Sequence, residues 1–297
     1  MKPVGKRPVL AALLAVVLCG PVVAAEPVAA IRTTTADQCR VQFDSFVGIH
    51  YTKLPALRGW ASTAEVIRKT LSEWFPRYVQ GQVIVDGSPD DLIAFLRRLP
   101  GPDAADFSVV YLASQQAADG SWAFVNGQSV SWVDIVERSR PVPPHPRRIV
   151  IVDACYAATL ERVPGWRTLF PGPVLFAASP RERTFEFRLD TRLPLDFKKR
   201  APEAWEWSRR ALPRWDGRMS FLGLVWMQAS QSQKSGPLEL GGWEELFGDC
   251  CRQGADFQKI IRRQWGSTLS SLKASHGPEQ KSQARPEIPA VTPAVIP

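Results

Sequence analysis

The stretch Arg148 to Ala158, RIVIVDACYAA, constrains this chain more than any other. Four consecutive aliphatic residues, Ile149 to Val152, read as a strand buried on both faces, as in a parallel sheet covered by helices on each side. The run ends in a carboxylate, a small residue and a thiol. Open α/β sheets bind ligands and do chemistry just beyond the carboxyl ends of their strands, so Cys155 stands where a nucleophile would be. A cysteine there also serves as a small buried apolar side chain, and the stretch by itself does not separate the two roles.

The flanking sequence supplies the rest of such a sheet. Phe46 to Tyr51 (FVGIHY) is expected as a first strand. The helix after it opens on the capping box Ser62-Thr63-Ala64-Glu65, runs through Ile67, Leu71, Trp74 and Phe75, and ends at Pro76. A second strand is expected near Gln82 to Asp86. Ser88-Pro89-Asp90-Asp91 reads as a cap with proline at the first helical position, and Leu92, Phe95, Leu96 and Leu99 recur at helical spacing. Phe107 to Ala113 reads as a third, central strand that ends in Ser114-Gln115-Gln116. Asn126-Gly127, between Trp122–Val125 and Ser129-Val130, signals a hairpin with a two-residue turn. Ser131 to Arg138 is a short amphipathic helix. Pro173 to Ala178 is a fifth strand beyond a loop of about 14 residues, long enough to be a substrate or lid loop. Such alternation implies a mostly parallel sheet with helices on both faces.

The ends of the chain read differently. Lys2, Lys6 and Arg7, the apolar run Val9 to Leu18 and the small residues Val23-Ala24-Ala25 form a signal peptide over residues 1–25, with cleavage expected after Ala25. Interrupted by Gly20-Pro21, the apolar run is short for a membrane span. The product is expected to be exported, to a periplasm or the cell exterior, with no membrane attachment after cleavage. Loss of the leader's three cations lowers the formal charge of the 297-residue chain from +8 to +5. The remaining arginines are scattered, which speaks against a nucleic-acid partner.

Cys39, Cys155, Cys250 and Cys251 remain after cleavage. In an oxidising compartment Cys39 is expected to pair with Cys250 or Cys251, leaving Cys155 free. With no CxxC pair and only His50, His145 and His276 as imidazoles, no metal or other cofactor is expected. Trp205, Trp207 and Trp215 lie in a Trp-, Arg- and Pro-rich insert at about 196–218, read as core or lid packing rather than a binding platform. Phe221 to Met227 reads as a last strand or buried helix, and Trp243 to Trp265 as one or two helices anchored by Phe247, Phe257 and Ile261. Residues 274–297, with five prolines, are expected to be a disordered tail.

Asp153-Ala154-Cys155 at the end of a buried strand, VGIHYTKLPALRGW before a helix and FAASPRERTFEF after the next strand together resemble the caspase and metacaspase superfamily of cysteine peptidases. The resemblance runs from about Phe46 to Phe187, within a domain expected over 40–273. It implies a caspase-like three-layer α/β/α sandwich around a mostly parallel sheet. In that family the cysteine works with a histidine ending the neighbouring central strand, and the corresponding residue here is Gln115. Glutamine cannot take up or return a proton. Loss of general acid and base assistance typically removes about 10² to 10⁴ in rate. The resemblance therefore implies an exported caspase-like protein that keeps Cys155 but is a pseudopeptidase or very weak peptidase, with a peptide or protein as substrate or partner.

Two alternatives stay open at this point. In one, the chain is an active cysteine endopeptidase in which His50, near the end of the first strand, substitutes for the missing imidazole. In the other it is an unrelated α/β peptide- or protein-binding module. His145 precedes the central strand and belongs at the opposite end of the sheet. Arg58 falls in the loop after the first strand, where caspases place an arginine for an acidic P1 side chain, and is the candidate substrate-binding residue. Family members often pair through a sheet edge, so a homodimer is a further implication.

Overall fold

In the computed structural model, which describes residues 35–48, 59–125, 127–184, 186–188, 218–231, 233, 235–265 and 272–276, the aliphatic runs lie side by side in one sheet. Its strands are β1 (Arg40–Val47), β2 (Arg77–Val85), β3 (Phe107–Ala113), β6 (Arg148–Asp153), β7 (Val174–Phe176) and β10 (Lys273–Ser275), in the order β10-β7-β6-β3-β1-β2. Each neighbouring pair is parallel except β10 on β7. Two small antiparallel pairs stand apart, β4 (Ser121–Ala123) with β5 (Ser129–Ser131) and β8 (Glu186–Arg188) with β9 (Arg218–Ser220).

Parallel strands need crossover connections, and these carry the helices. They are α1 (Gly59–Trp74), α2 (Pro89–Arg97), α3 (Trp132–Ser139), α4 (Trp166–Leu169), α5 (Phe221–Gln231) and α6 (Leu240–Trp265), with a 3₁₀ turn over Ala157–Arg162. Alternation along the strands sends side chains to two separate cores. Val109, Tyr111, Ile149 and Ile151 pack with α1, α5 and α6, whereas Val110, Leu112, Val150 and Val152 pack with α2, α3 and α4. The architecture is thus the three-layer, mostly parallel α/β sandwich expected. No described helix is long and apolar enough to cross a membrane.

Several boundaries differ from expectation for identifiable reasons. The first strand begins at Arg40, because Asp44 and Ser45 can be buried between β2 and β3: Asp44 Oδ1 accepts the Gln82 backbone N–H at 2.7 Å. The second strand starts at Arg77, well before Gln82. Helix α1 starts at Gly59, so Ser62 and Thr63 lie inside it and form no cap. The Thr63 hydroxyl instead donates to the Gly59 carbonyl at 2.8 Å and lies 2.9 Å from Ser220 Oγ. The cap at α2 is as expected, with Ser88 and Asp91 bonding reciprocally across the first turn.

The β4–β5 hairpin forms, but Ala123 pairs with Ser129 and Phe124 N–H donates to the Gln128 carbonyl. A longer connection therefore replaces the two-residue turn, because Phe124 is 1% exposed and is drawn into the core. The segment before β7 is the 3₁₀ turn and α4 rather than an open loop; Leu160, Trp166, Leu169 and Phe170 bury it. Lys273–Ser275, at the start of the expected tail, instead form the edge strand β10.

Cys39, Cys155, Cys250 and Cys251 are free thiols, so the expected Cys39 disulfide is not formed. Cys39 and Cys250 pack as apolar groups in the same core, where burial pushes the Cys39 thiol up to about 11 and the Cys250 thiol higher still. The expected signal peptide, His50, Arg58, the bulk of the Trp-rich insert and residues 277–297 lie outside the described residues.

β2 is a sheet edge nine residues long, with Val79, Val83 and Val85 exposed. Its register on β1 shifts between Phe43↔Gln80 and Ser45↔Val83, which places one extra residue in β2. Gly81 sits in that bulge because a side-chain carbon there would lie 2.2 Å from Asp44 Oδ1.

Candidate active site

Parallel pairing brings the carboxyl ends of the central strands to one level. Val47 is paired with Ala113, and Ala113 with Asp153. Gln115 and Cys155 therefore stand at the same offset, two residues beyond paired positions on adjacent strands. The turn after β6 is tight. Tyr156 takes a left-handed backbone, φ 53°, a conformation that costs an L-residue free energy and persists only where its surroundings hold it. Its N–H donates to the Glu182 carbonyl at 2.7 Å, and its hydroxyl accepts from Arg183 Nε at 3.1 Å.

That turn leaves Cys155 half-buried, with the thiol directed at the Thr184 carbonyl, 4.0 Å away. Burial raises the thiol pKa above its ordinary value, Asp153 adds to the rise, and Arg183 offsets part of it. The sulfur is therefore a protonated thiol at neutral pH, and the thiolate is the nucleophilic form. Alkylation of Cys155 by iodoacetamide is expected to be slower at pH 7.5 than that of an unstructured peptide thiol, and to rise at a higher pH. A rate that levels off below the ordinary thiol pKa of about 8.5 would show an activated nucleophile instead.

The two glutamines after β3 divide their roles by burial. Gln115 is exposed, and its backbone carbonyl accepts from Ala123 N–H at 2.9 Å. Gln116 is 3% exposed and fully used. Its Nε2 donates to the Tyr156 carbonyl at 3.1 Å and to Thr159 Oγ1 at 2.6 Å, while its Oε1 accepts from the indoles of Trp122 at 2.8 Å and Trp132 at 3.3 Å. The two indoles meet edge to face at 4.7 Å. One side chain thus fastens the turn that carries Cys155 to the β4–β5 hairpin and α3. Nothing in the sequence distinguishes Gln116 from Gln115; only the burial of its neighbours does.

Asp153 anchors the other side. It is fully buried and accepts hydrogen bonds from the Tyr111 hydroxyl at 2.8 Å and from Ser220 Oγ. Burial pushes its carboxyl up to about 6, against the opposing effect of Ser220, Tyr111 and Trp60. Ser220 in turn contacts Thr63 and accepts from Gly223 N–H at the start of α5. Tyr111 was findable from strand parity, since it lies on the same sheet face as Asp153. Ser220, 67 residues further along the chain, was not.

His145 lies at the far end of the sheet, as expected. Its Nε2–H donates to the Ala105 carbonyl at 3.0 Å and its Nδ1 accepts from Arg147 N–H at 3.2 Å, an arrangement that needs the neutral ring; burial lowers its pKa accordingly. Arg148 beside it is 1% exposed and donates to the carbonyls of Pro100 and Pro143. Both are structural.

Among solved structures, the chain is similar to caspase-1 from Spodoptera frugiperda. The similarity covers 82% of this chain and 89% of that one at 11% identity, with a TM-score of 0.47. No protein-family model and no curated protein matches the chain.

Chemically, the described residues offer at this edge a thiol, backbone carbonyls, the Tyr156 hydroxyl with the Arg183 guanidinium, and the exposed amide of Gln115. The buried carboxylate of Asp153 is engaged by Tyr111 and Ser220, and the imidazole of His145 is at the other end.

Proposed function

We propose that the chain is an exported caspase-like protein in which Cys155 occupies the family's nucleophile position while Gln115 stands where the dyad histidine would be, leaving a pseudopeptidase or very weak peptidase that holds a peptide or protein. The observation that carries this reading is the equal offset of Gln115 and Cys155 beyond the paired residues Ala113 and Asp153. The Asp-Ala-Cys motif and its neighbouring segments add support. Burial raises the Cys155 thiol pKa, and a glutamine at the histidine position cannot accept its proton, so among the described residues neither supplies the general base that peptide hydrolysis by cysteine uses.

The test compares wild type, Gln115→His, Cys155→Ala and His50→Ala on a diverse fluorogenic peptide library. Wild type is expected to match the Cys155→Ala background. Gln115→His is expected to raise Cys155-dependent turnover by about 10²-fold, the lower end of what a positioned acid or base supplies. Wild-type turnover that disappears in both Cys155→Ala and His50→Ala would instead establish an active peptidase with a rearranged dyad.

A further inference from the structure

Along α2, Asp90, Ile93, Ala94, Arg97 and Arg98 recur at spacings of three and four, beside the stripe of Leu92, Phe95 and Leu96 that packs on the sheet. With Arg138 of α3 they line an open groove of about 430 Å³. That size suits a few side chains of a bound segment. Ile93 and Ala94 give its floor a small apolar surface, and its walls are the Asp90 carboxylate and three guanidinium groups.

Two of the three arginines are already held in place. Arg138 is ion-paired with Asp90, and Arg97 Nη2 donates to the Arg138 carbonyl at 2.6 Å. The single carboxylate of the lining is thereby engaged. Among the described residues, neither Arg97 nor Arg98 meets a carboxylate, so two exposed guanidiniums stand over an apolar floor without a counter-ion. Basic residues at a helix end are favoured by the helix dipole alone. The dipole does not account for the tether that draws Arg97 across to α3, nor for the apolar floor between.

We propose that this groove is a docking site for a protein segment in which carboxylate side chains flank an aliphatic one, the carboxylates pairing with Arg97 and Arg98 and the aliphatic group covering Ile93 and Ala94. Arginine's planar fork suits carboxylates, and a net positive charge, +8 for the full chain and +5 without the expected leader, attracts an acidic partner from a distance. A nucleic acid fits less well, because its extended phosphate backbone would run onto the exposed Asp91, Asp134 and Glu137 of the same two helices. The site is independent of Cys155 and does not rest on the peptidase-fold reading.

The test uses the purified chain and a fluorescein-labelled synthetic peptide, Asp-Glu-Leu-Glu-Asp, followed by anisotropy. Its controls are the same peptide with every acid replaced by its amide, and a single-stranded oligothymidylate of similar charge. The acidic peptide is expected to bind about 10-fold or more tightly than the amide peptide, a difference of about 1.4 kcal/mol. The double variant Arg97→Glu/Arg98→Glu is expected to lose that preference, and Arg97→Gln/Arg98→Gln, which keeps polar side chains on the surface, to lose most of it with an unchanged melting temperature. Equal binding of acidic and amide peptides overturns the proposal. So does a preference that survives both variants, or an oligothymidylate that binds as tightly as the acidic peptide. Cys155 alkylation is expected to be the same in all of these variants, so failure here leaves the reading of the thiol site untouched.

Discussion

Gln116→Leu is expected to lower the stability of the fold by about 3 to 5 kcal/mol, measured by urea denaturation. Leucine fills much of the volume but neither donates nor accepts. The indole N–H groups of Trp122 and Trp132, which are 0% and 2% exposed, lose their acceptor, while the Tyr156 carbonyl and Thr159 hydroxyl lose their donor. Each buried polar group left without a partner costs about 1 to 3 kcal/mol, and members of one network fail together. The estimate is below the sum of four such losses because Thr159 retains some access to water. The same change releases Tyr156, whose left-handed backbone has less reason to persist once its carbonyl is free. Alkylation of Cys155 in conditions where the variant is still folded is therefore expected to change as well. Gln115→Leu, at an exposed side chain, is expected to cost less than about 0.5 kcal/mol. A Gln116→Leu loss below 1 kcal/mol would show that the four hydrogen bonds are not a stabilising unit.

The second large effect concerns pH. Asp153 has a folded pKa of about 6, raised by burial above the ordinary carboxylate value near 3.8. A group whose folded pKa is raised contributes stability that is full below the unfolded pKa and is lost as pH rises through the folded one. A separation of this size corresponds to about 3 kcal/mol, given 1.36 kcal/mol for each pKa unit. Other groups act in the opposite direction: Asp91 and Asp119 have lowered pKa values, and His145 is held neutral, so each favours the fold as pH rises. The Asp153 contribution is therefore read as a difference. Asp153→Asn keeps an oxygen to accept from Tyr111 and Ser220 but cannot ionise. Its stability relative to wild type is expected to improve by about 2 kcal/mol between pH 4 and pH 7.5. Two stability curves that run parallel over that interval would show that the carboxylate does not titrate near 6.

The same carboxylate illustrates how far residue order alone reaches. Period and composition located β3, β6, the cap of α2 and the hairpin, because each depends on side chains near one another in the chain. They place Cys155 just beyond β6 and Gln115 just beyond β3 for the same reason. The beginning of β1 was missed because Asp44 and Ser45 look like solvent-facing residues until β2 and β3 supply their partners. The capping box at Ser62 was misleading because Thr63 had a buried use against Gly59 and Ser220, a partner 157 residues away. Gln116 and Ser220 are invisible without coordinates, since their importance lies in which distant groups surround them. The Cys39 disulfide expected from the thiol count gave way to apolar packing in a common core, a use of cysteine that spacing does not reveal.

The irregularity in β2 bears on how this protein behaves in a crowded solution. A straight nine-residue edge with outward valines would be a template on which another extended chain could add. The extra residue around Gly81 divides it into Arg77–Gln80 and Val83–Val85, and the bulge changes which sheet face each piece presents to its neighbour. Neither piece reaches the six or so residues that a stacked, self-propagating strand assembly needs. Asp44, buried under a glycine, thus leaves the exposed valines on two short segments instead of one long straight edge, the arrangement that disfavours addition of another strand.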